Sequence, residues 1–306
     1  MITLKTSVNI APNAFSCCAK FDATRILAGG QYTPVVGGDP AVYMYSWNGT
    51  VFTPVTSVTI PGGETTGEIL KVYGNYVFRN GRNWSTASGC GVGQVEWDGS
   101  AFINIGMLYY YPGFYFTGEW RGDCYGYDID SNMNGIIHVC GRTANFTPFP
   151  PSSYLYTLDA LTPGPTGSGI LKQTQVVSST DAGTVVCGFG FVYLCGATTT
   201  RKYVYILSPA SYIFQGSYPS VGLRCWHTNM LGAWLLGSSG SVLSAYNMNV
   251  SLVSSINTGA TIYGVSSSGG YIFVSQVGAT KVYTYDGATY TLVDSAALGI
   301  EKAFII

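Results

Sequence analysis

VYMYSWNGTVFTPV, at residues 42–55, alternates apolar and polar residues, turns at Asn48 and Gly49, and then alternates again. An Asn-Gly pair between two alternating runs predicts a β-hairpin, because the turn needs backbone conformations with positive φ. Two further stretches have the same form, VGQVEWDGSAFINIG at residues 92–106 and KVYTYDGATYTLVDS at residues 281–295. The hairpin is therefore a repeated unit, and the repeat determines how the whole chain is interpreted.

The repeated unit contains more than this hairpin. Weaker copies follow near Tyr154, Tyr203 and Tyr246, and two strand-like runs precede each copy, such as EILKVY and YVFRNG before the second. Four-stranded units of about 40–50 residues are typical of the blades of a β-propeller. We predict an all-β fold, a β-propeller of four-stranded antiparallel blades, with six blades and with seven as the alternative.

We expect one propeller domain that spans residues 1–306. Strand-like runs at residues 2–8 and 301–306 are left over, and we expect them to close the ring, since closure removes free sheet edges. The alternative is that these two runs form a seventh sector. The predicted blades lie at approximately residues 15–57, 68–108, 121–179, 183–220, 222–257 and 261–297.

The composition excludes several functional classes. Apolar residues make up 47% of the chain and charged residues only 9%, which argues against disorder. The net charge of −1 gives no electrostatic basis for binding nucleic acid. No apolar run approaches the roughly 20 residues of a membrane span. The first residues, MITLKTSVNIAPNAF, lack the apolar region of a signal peptide, so we expect synthesis without export.

Long insertions interrupt the predicted blades 1 to 3, and in a propeller these connections emerge on one face. Loops on a rigid scaffold often carry function, and Tyr and Trp are common at interfaces. Three interpretations remain open for the aromatic insertion at residues 107–120: a loop folded over its own blade, a protein interface and a glycan site. The candidate binding residues on this face are Tyr109, Tyr110, Tyr111, Phe114, Tyr115, Phe116, Trp120 and Trp84.

One run carries oxygen ligands at alternate positions. In DIDSNMNG, Asp128, Asp130 and Asn132 have the spacing that suits calcium. The glycine and the bidentate glutamate of a calcium loop are not at their expected places, so the alternative is an ordinary polar turn. We expect no bound metal, and the three residues remain the weak metal candidates.

Catalytic patterns are scarce. The two histidines, His138 and His227, have no cysteine or aspartate at nucleophile or metal spacing. No Ser-His-Asp set, zinc-binding helix motif or phosphate-binding glycine loop is present. The sequence therefore predicts a protein that is not an enzyme and that uses no cofactor.

The pattern Y-x-W-[ND]-G-x-x-[FY]-x-x-V resembles a repeat found in propeller lectins and in phage-encoded propellers. The match lies at Trp47 to Gly49 and Trp97 to Gly99, and again at Tyr285 to Gly287 with Tyr in place of Trp. The resemblance implies a propeller over most of the chain. The sugar sites of propeller lectins use residues repeated in every blade, whereas the charged and aromatic positions here differ between blades.

These observations lead to a functional hypothesis and two alternatives. We expect a non-enzymatic, virion-associated structural or attachment protein of a bacteriophage, made in the host cytoplasm and located in the virion. Its expected partners are other virion proteins, or a glycan or receptor on the host surface, with homo-oligomers as a further option. We expect no binding of nucleic acid and no membrane insertion. The alternatives are a free carbohydrate-binding lectin and a hydrolase or lyase on a propeller scaffold.

Overall fold

The computed structural model of the protein describes twelve segments of the chain, and every regular element in them is a β-strand. Within these segments no helix is long and apolar enough to cross a membrane. The described segments are residues 15–30, 41–59, 70–81, 91–109, 122–130, 135–143, 153–159, 171–177, 184–195, 199–207, 209–219 and 229–297.

The described strands form six four-stranded antiparallel sheets, which we call blades 1 to 6. Three of them lie in the compact unit Lys5–Thr180. Blade 1 comprises β1 (Phe15–Lys20), β2 (Arg25–Gly30), β3 (Ala41–Trp47) and β4 (Phe52–Thr59). Blade 2 comprises β5 (Leu70–Tyr73), β6 (Tyr76–Gly81), β7 (Gly91–Trp97) and β8 (Phe102–Tyr109). Blade 3 comprises β9 (Gly122–Asp130), β10 (Ile136–Thr143), β11 (Ser153–Asp159) and β12 (Leu171–Val177).

The other three blades lie in the compact unit Asp181–Ile305. Blade 4 comprises β13 (Thr184–Gly188), β14 (Phe191–Cys195), β15 (Thr199–Leu207) and β16 (Ala210–Pro219). Blade 5 comprises β17 (Asn229–Leu231), β18 (Trp234–Ser239), β19 (Val242–Tyr246) and β20 (Leu252–Asn257). Blade 6 comprises β21 (Ile262–Ser268), β22 (Tyr271–Gln276), β23 (Ala279–Tyr285) and β24 (Tyr290–Ala296).

The predicted fold class is confirmed in part and corrected in part. The all-β class and the four-stranded antiparallel blade are confirmed. The prediction of a single ring of six blades, or seven, is corrected, because the six described sheets divide into two compact units of three. The reason for the difference is that a sequence repeat counts hairpins along the chain but contains no information on how the blades group.

The turns between the third and fourth strands have the predicted conformation. Gly49, Gly99 and Gly287 have φ values of 93°, 104° and 101°, which favour glycine. The residue before each glycine fixes the turn through its side chain, since Asp98 Oδ1 accepts hydrogen bonds from the backbone N–H groups of Ser100 and Ala101. These turns are therefore determined locally.

The outer strand of every blade carries a β-bulge opposite the same point of the third strand. The register shifts directly after one residue of each third strand, which we call the bulge position. A bulge twists an edge strand and so hinders pairing with another chain. The bulge position is occupied by Met44, Gln94, Thr157, Lys202, Ala245 and Val282 in blades 1 to 6.

Aromatic residues near the hairpin turns join neighbouring blades within each unit. Trp97 of blade 2 packs edge-on against Phe21 of blade 1, with ring centroids 6.5 Å apart, and the Arg25 guanidinium lies 5.2 Å from the Trp97 ring. Trp234 of blade 5 meets Tyr285 of blade 6 in the same edge-on manner, at 5.5 Å. The recurring aromatic residue is thus a contact between blades, which is a structural role.

Candidate functional site

The predicted aromatic face lies almost wholly outside the described residues. Tyr109 is the last residue of β8. The other candidates lie outside the described segments, and these are Tyr110, Tyr111, Phe114, Tyr115, Phe116, Trp120 and Trp84. The binding role of this face therefore stays a prediction.

Two of the three calcium candidates lie in a strand. Asp128 and Asp130 belong to β9, where their backbones pair with His138 and Ile136 of β10. Asn132 lies outside the described segments. Among the residues that the structure describes, no three His, Cys, Asp or Glu side chains form a group that could hold a metal ion.

Comparison of the blades with one another reveals a different candidate. In a repeat protein each unit is a reference for the others, so a chemical departure at an equivalent position is informative. The bulge position is apolar in blades 1, 5 and 6, where Met44, Ala245 and Val282 are buried. In blade 4 it is Lys202, whose side chain is only 6% exposed. Lysine is almost never buried to this extent unless it is paired.

The ammonium group of Lys202 has two neighbours and no ion pair with any described carboxylate. Its Nζ donates a hydrogen bond to Asn249 Oδ1 at 3.2 Å. It also lies 3.7 Å from the centroid of the Phe191 ring. Burial lowers the pKa of this amine, because removal from water disfavours the charged form. We call Lys202, Phe191 and Asn249 the Lys202 site.

Asn249 comes from a second departure, in the turn between β19 and β20 of blade 5. Two residues separate the paired backbones of Asp98 and Ala101 in blade 2, whereas three separate Asn247 and Ser251 here. The middle residue of the three is Asn249, and it is exposed. The site therefore reaches solvent through the Asn249 side chain.

This longer turn is strained and anchored. Val250 is buried at φ 57°, a left-handed conformation that β-branched residues rarely adopt. The Tyr193 hydroxyl of blade 4 donates a hydrogen bond to the Met248 carbonyl at 3.0 Å. Burial raises the pKa of Tyr193, so its hydroxyl keeps its proton and remains a donor. Blade 4 thus holds the turn that supplies Asn249.

A third departure lies two residues before Phe191, in the turn between β13 and β14. The first turn residue is Gly74 in blade 2, Gly232 in blade 5 and Gly269 in blade 6, with φ between 52° and 58°. Blade 4 has Phe189 there at φ 56°, and the side chain is 60% exposed. Within the described residues, Phe189 and Val250 are the non-glycine residues with positive φ. Such strain concentrates at functional sites.

The Lys202 site combines groups that suit reactions at a carbonyl carbon. A desolvated lysine amine can act as a base or a nucleophile. Among the described residues nothing accepts a hydrogen bond from the Asn249 side-chain NH₂, which leaves this donor for a ligand oxygen. Two features of the sequence could have revealed this site: Phe189 in GFGF at residues 188–191, and the long NMNVS turn at residues 247–251. Both are recognised when the sequences of the blades are aligned with one another.

The sequence matches no family model and no curated protein. Solved structures do match in fold. The periplasmic gluconolactonase PpgL from Pseudomonas aeruginosa has a TM-score of 0.64 at 10% identity, and the match covers 96% of this chain and 88% of that chain. A putative 6-phosphogluconolactonase from Bacteroides fragilis has a TM-score of 0.62 at 10% identity, with 91% of this chain and 82% of that chain covered. The WD40 domain of Pan2 from Neurospora crassa reaches 0.58 at 10% identity, with 88% and 75% covered.

These likenesses show the β-propeller fold. They also correct the prediction that the protein is not an enzyme, since two of the three similar structures carry the names of lactonases and this fold therefore does not exclude catalysis. The sequence analysis excluded catalysis on the absence of known motifs, and that reasoning was wrong because the same fold occurs in proteins named as enzymes. None of the three names refers to a virion or to host attachment.

Proposed function

We propose that the protein hydrolyses a lactone or a comparably activated ester at the Lys202 site. The observation that supports this most directly is the desolvated amine of Lys202 at 3.2 Å from the Asn249 amide, at a repeat position that is apolar in three other blades. A charged side chain that is buried without an ionic partner destabilises the fold, so a role outside folding would explain its presence.

The reaction follows from the roles that these two residues can take. The neutral amine of Lys202 accepts a proton from a water molecule, and the water oxygen forms a bond to the lactone carbonyl carbon. The carbonyl oxygen becomes negatively charged, and the side-chain NH₂ of Asn249 donates a hydrogen bond to it. The bond between the carbonyl carbon and the ring oxygen then breaks. The Lys202 ammonium returns its proton to the ring oxygen, which leaves as a hydroxyl.

The substrate class is suggested by the fold. The names of two similar structures refer to gluconolactone and 6-phosphogluconolactone chemistry. Such likeness bears on the scaffold only, so the assignment of a lactone to this chain depends on the chemistry of the Lys202 site. The six-membered sugar lactone δ-gluconolactone is therefore the first substrate to test.

The test compares three proteins by continuous titration of the acid released from δ-gluconolactone. We expect the wild type to exceed the spontaneous rate and Lys202→Met to fall to it. The control is Lys281→Met, which removes another lysine of the same unit whose Nζ donates to the Thr258 carbonyl at 2.5 Å. This control should keep wild-type activity. Equal rates for the wild type and Lys202→Met would refute the proposal.

The pH profile gives a second readout. The base form of Lys202 is the neutral amine, so kcat/KM should rise with pH until the lowered pKa of Lys202 is passed. A profile without such a rise would remove Lys202 from the reaction as a base, even if hydrolysis were observed.

A second candidate function is assembly onto a virion, with other virion proteins or a host-surface glycan or receptor as partners. The supporting observation is that the outer strands of blades 5 and 6 expose adjacent apolar pairs, each side chain between 41% and 59% exposed. Exposed apolar surface favours docking, including of a second copy of this chain. The pairs are Leu252 and Val253, and Leu292 and Val293.

Density-gradient sedimentation of native source material tests this second candidate. Co-migration with particles, lost when Leu292 and Val293 are both replaced by Ser, would support it. Migration as a free protein, with a mass close to the 32.6 kDa of the single chain, would argue against it.

A further inference from the structure

We propose that Phe189 is a ligand-binding residue that stacks on the flat face of the ring whose carbonyl is attacked at the Lys202 site. This inference rests on the proposed function, since it concerns the same substrate. It assigns to Phe189 the task of selecting a cyclic substrate with an apolar ring face.

The first observation is the backbone of Phe189. In the four turns that join the paired residues Tyr73 and Tyr76, Gly188 and Phe191, Leu231 and Trp234, and Ser268 and Tyr271, the first turn residue has φ between 52° and 58°. Three of the four are glycine, which adopts this conformation without strain. A bulky residue there is an outlier, so blade 4 tolerates a strain that blades 2, 5 and 6 avoid.

The second observation is that the described fold gains little from the Phe189 ring. The side chain is 60% exposed, the highest value among the exposed large hydrophobic residues of the described segments. A phenylalanine stabilises a fold mainly through the apolar area that it buries. Phe189 is therefore both strained and exposed, and both features are explained if its ring makes contact with something outside the fold.

The third observation is the place of Phe189 in the hairpin. It lies two residues before Phe191, and the centroid of the Phe191 ring is 3.7 Å from the Lys202 Nζ. The turn at Phe189 and Gly190 thus adjoins the Lys202 site, at the end of blade 4 where Asn249 of blade 5 is exposed. A sugar lactone offers axial C–H groups on one face of a ring and a polar carbonyl at its edge. The Phe189 ring would contact the apolar face of the lactone, and the amine and amide of the Lys202 site would contact its carbonyl edge.

The experiment is a set of substitutions at one exposed phenylalanine with a second as control. Phe189→Gly introduces the residue that blades 2, 5 and 6 have at this position, so it keeps the turn while it removes the ring. We expect its KM for δ-gluconolactone to rise about tenfold while kcat changes by less than about threefold, as one lost stacking contact predicts. Phe189→Tyr and Phe189→Trp keep an aromatic face and should stay close to the wild-type KM.

The matched control is Phe214→Gly, because Phe214 is 55% exposed on the outer strand of the same blade. It should leave KM unchanged. If Phe189→Gly leaves KM unchanged while Lys202→Met abolishes hydrolysis, the inference is wrong and the proposed function stands. A rise in KM of the same size for Phe214→Gly would also overturn it, since the effect would then be a general loss of surface.

A binding assay keeps the inference testable when the wild type shows no hydrolysis. The probe is δ-gluconolactam, a ring of the same shape that is not hydrolysed, titrated into the wild type and the two phenylalanine variants by calorimetry. Binding that is lost in Phe189→Gly and kept in Phe214→Gly would support the inference although the proposed reaction had failed. Absence of binding to the wild type would overturn it.

Discussion

Replacement of Lys202 by Met should make the protein more stable while it removes activity. The structure supplies the reason, since Met44 occupies the same bulge position in blade 1 and is fully buried. Lys202→Met thus exchanges a buried ammonium for a residue of similar length that the repeat already accommodates. Replacing a buried ion pair by apolar residues of similar volume is often neutral or stabilising by about 1–4 kcal/mol, and the desolvation cost that is removed is the same in kind for a single ammonium. We expect a gain near the low end, because the variant also loses the hydrogen bond to Asn249.

The expected size is about 1 kcal/mol, which corresponds to about 3 °C in Tm for a unit of this length. The measurement is urea unfolding followed by tryptophan fluorescence, with Lys281→Met as control. The control should show no gain, because it removes a lysine that is bonded to the Thr258 carbonyl and is less buried.

The pH dependence distinguishes a charge effect from a packing effect. Burial places the pKa of Lys202 in the folded state below the value of about 10.4 in the unfolded chain. Wild-type stability therefore rises with pH between these two values, since the neutral amine no longer carries the desolvation cost. The advantage of Lys202→Met should shrink over the same interval. A variant that is less stable than the wild type at pH 7, or an advantage that is independent of pH, would refute the reasoning.

Two further predictions use the hairpin turns. Gly287→Ala should lower the free energy of unfolding by about 1 kcal/mol more than Gly49→Ala does, as measured by urea unfolding. Both positions have positive φ, but only a Cβ at residue 287 would come within 3.1 Å of Trp234. Equal losses would show that Trp234 moves away freely. Asp98→Ala should lower Tm, whereas Asp98→Asn should not, since Asn48 makes the same two backbone hydrogen bonds in blade 1. Those hydrogen bonds lower the pKa of Asp98, so the stability that the Asp98 carboxylate contributes should be lost as pH falls through that lowered pKa. A difference in Tm between the wild type and Asp98→Ala that persists in acid would contradict this.

The sequence predicted the hairpins well because their turns are determined locally. Gly49 and Gly287 need positive φ, and the Asn or Asp before them supplies the side-chain acceptor, so a short stretch contains all the information. The grouping of blades into two units depends on contacts between distant segments, and no local pattern encodes it. The sequence analysis therefore identified the repeating blade and missed how the blades group.

The candidate site was missed for a related reason. Lys202 reads as one polar residue in an alternating strand, and alternation alone places it on the solvent side. In the inner strand β15 the successive residues Lys202 and Tyr203 are both buried, so alternation does not show which residues of this strand face solvent. The catalytic motifs that the sequence lacks do not consist of a lone lysine, so their absence gives no information on a single amine.

Three departures from the repeat meet within one pair of neighbouring blades, and two of them cost the fold stability. Blade 4 replaces a turn glycine by Phe189 and has Lys202 at a bulge position that is apolar in blades 1, 5 and 6. Blade 5 lengthens a turn by one residue, which presents Asn249. Left-handed Phe189 and buried Lys202 each cost stability. The hydrogen bond between Lys202 and Asn249 joins the two altered blades at one place, and this contact is the feature on which the proposed function rests.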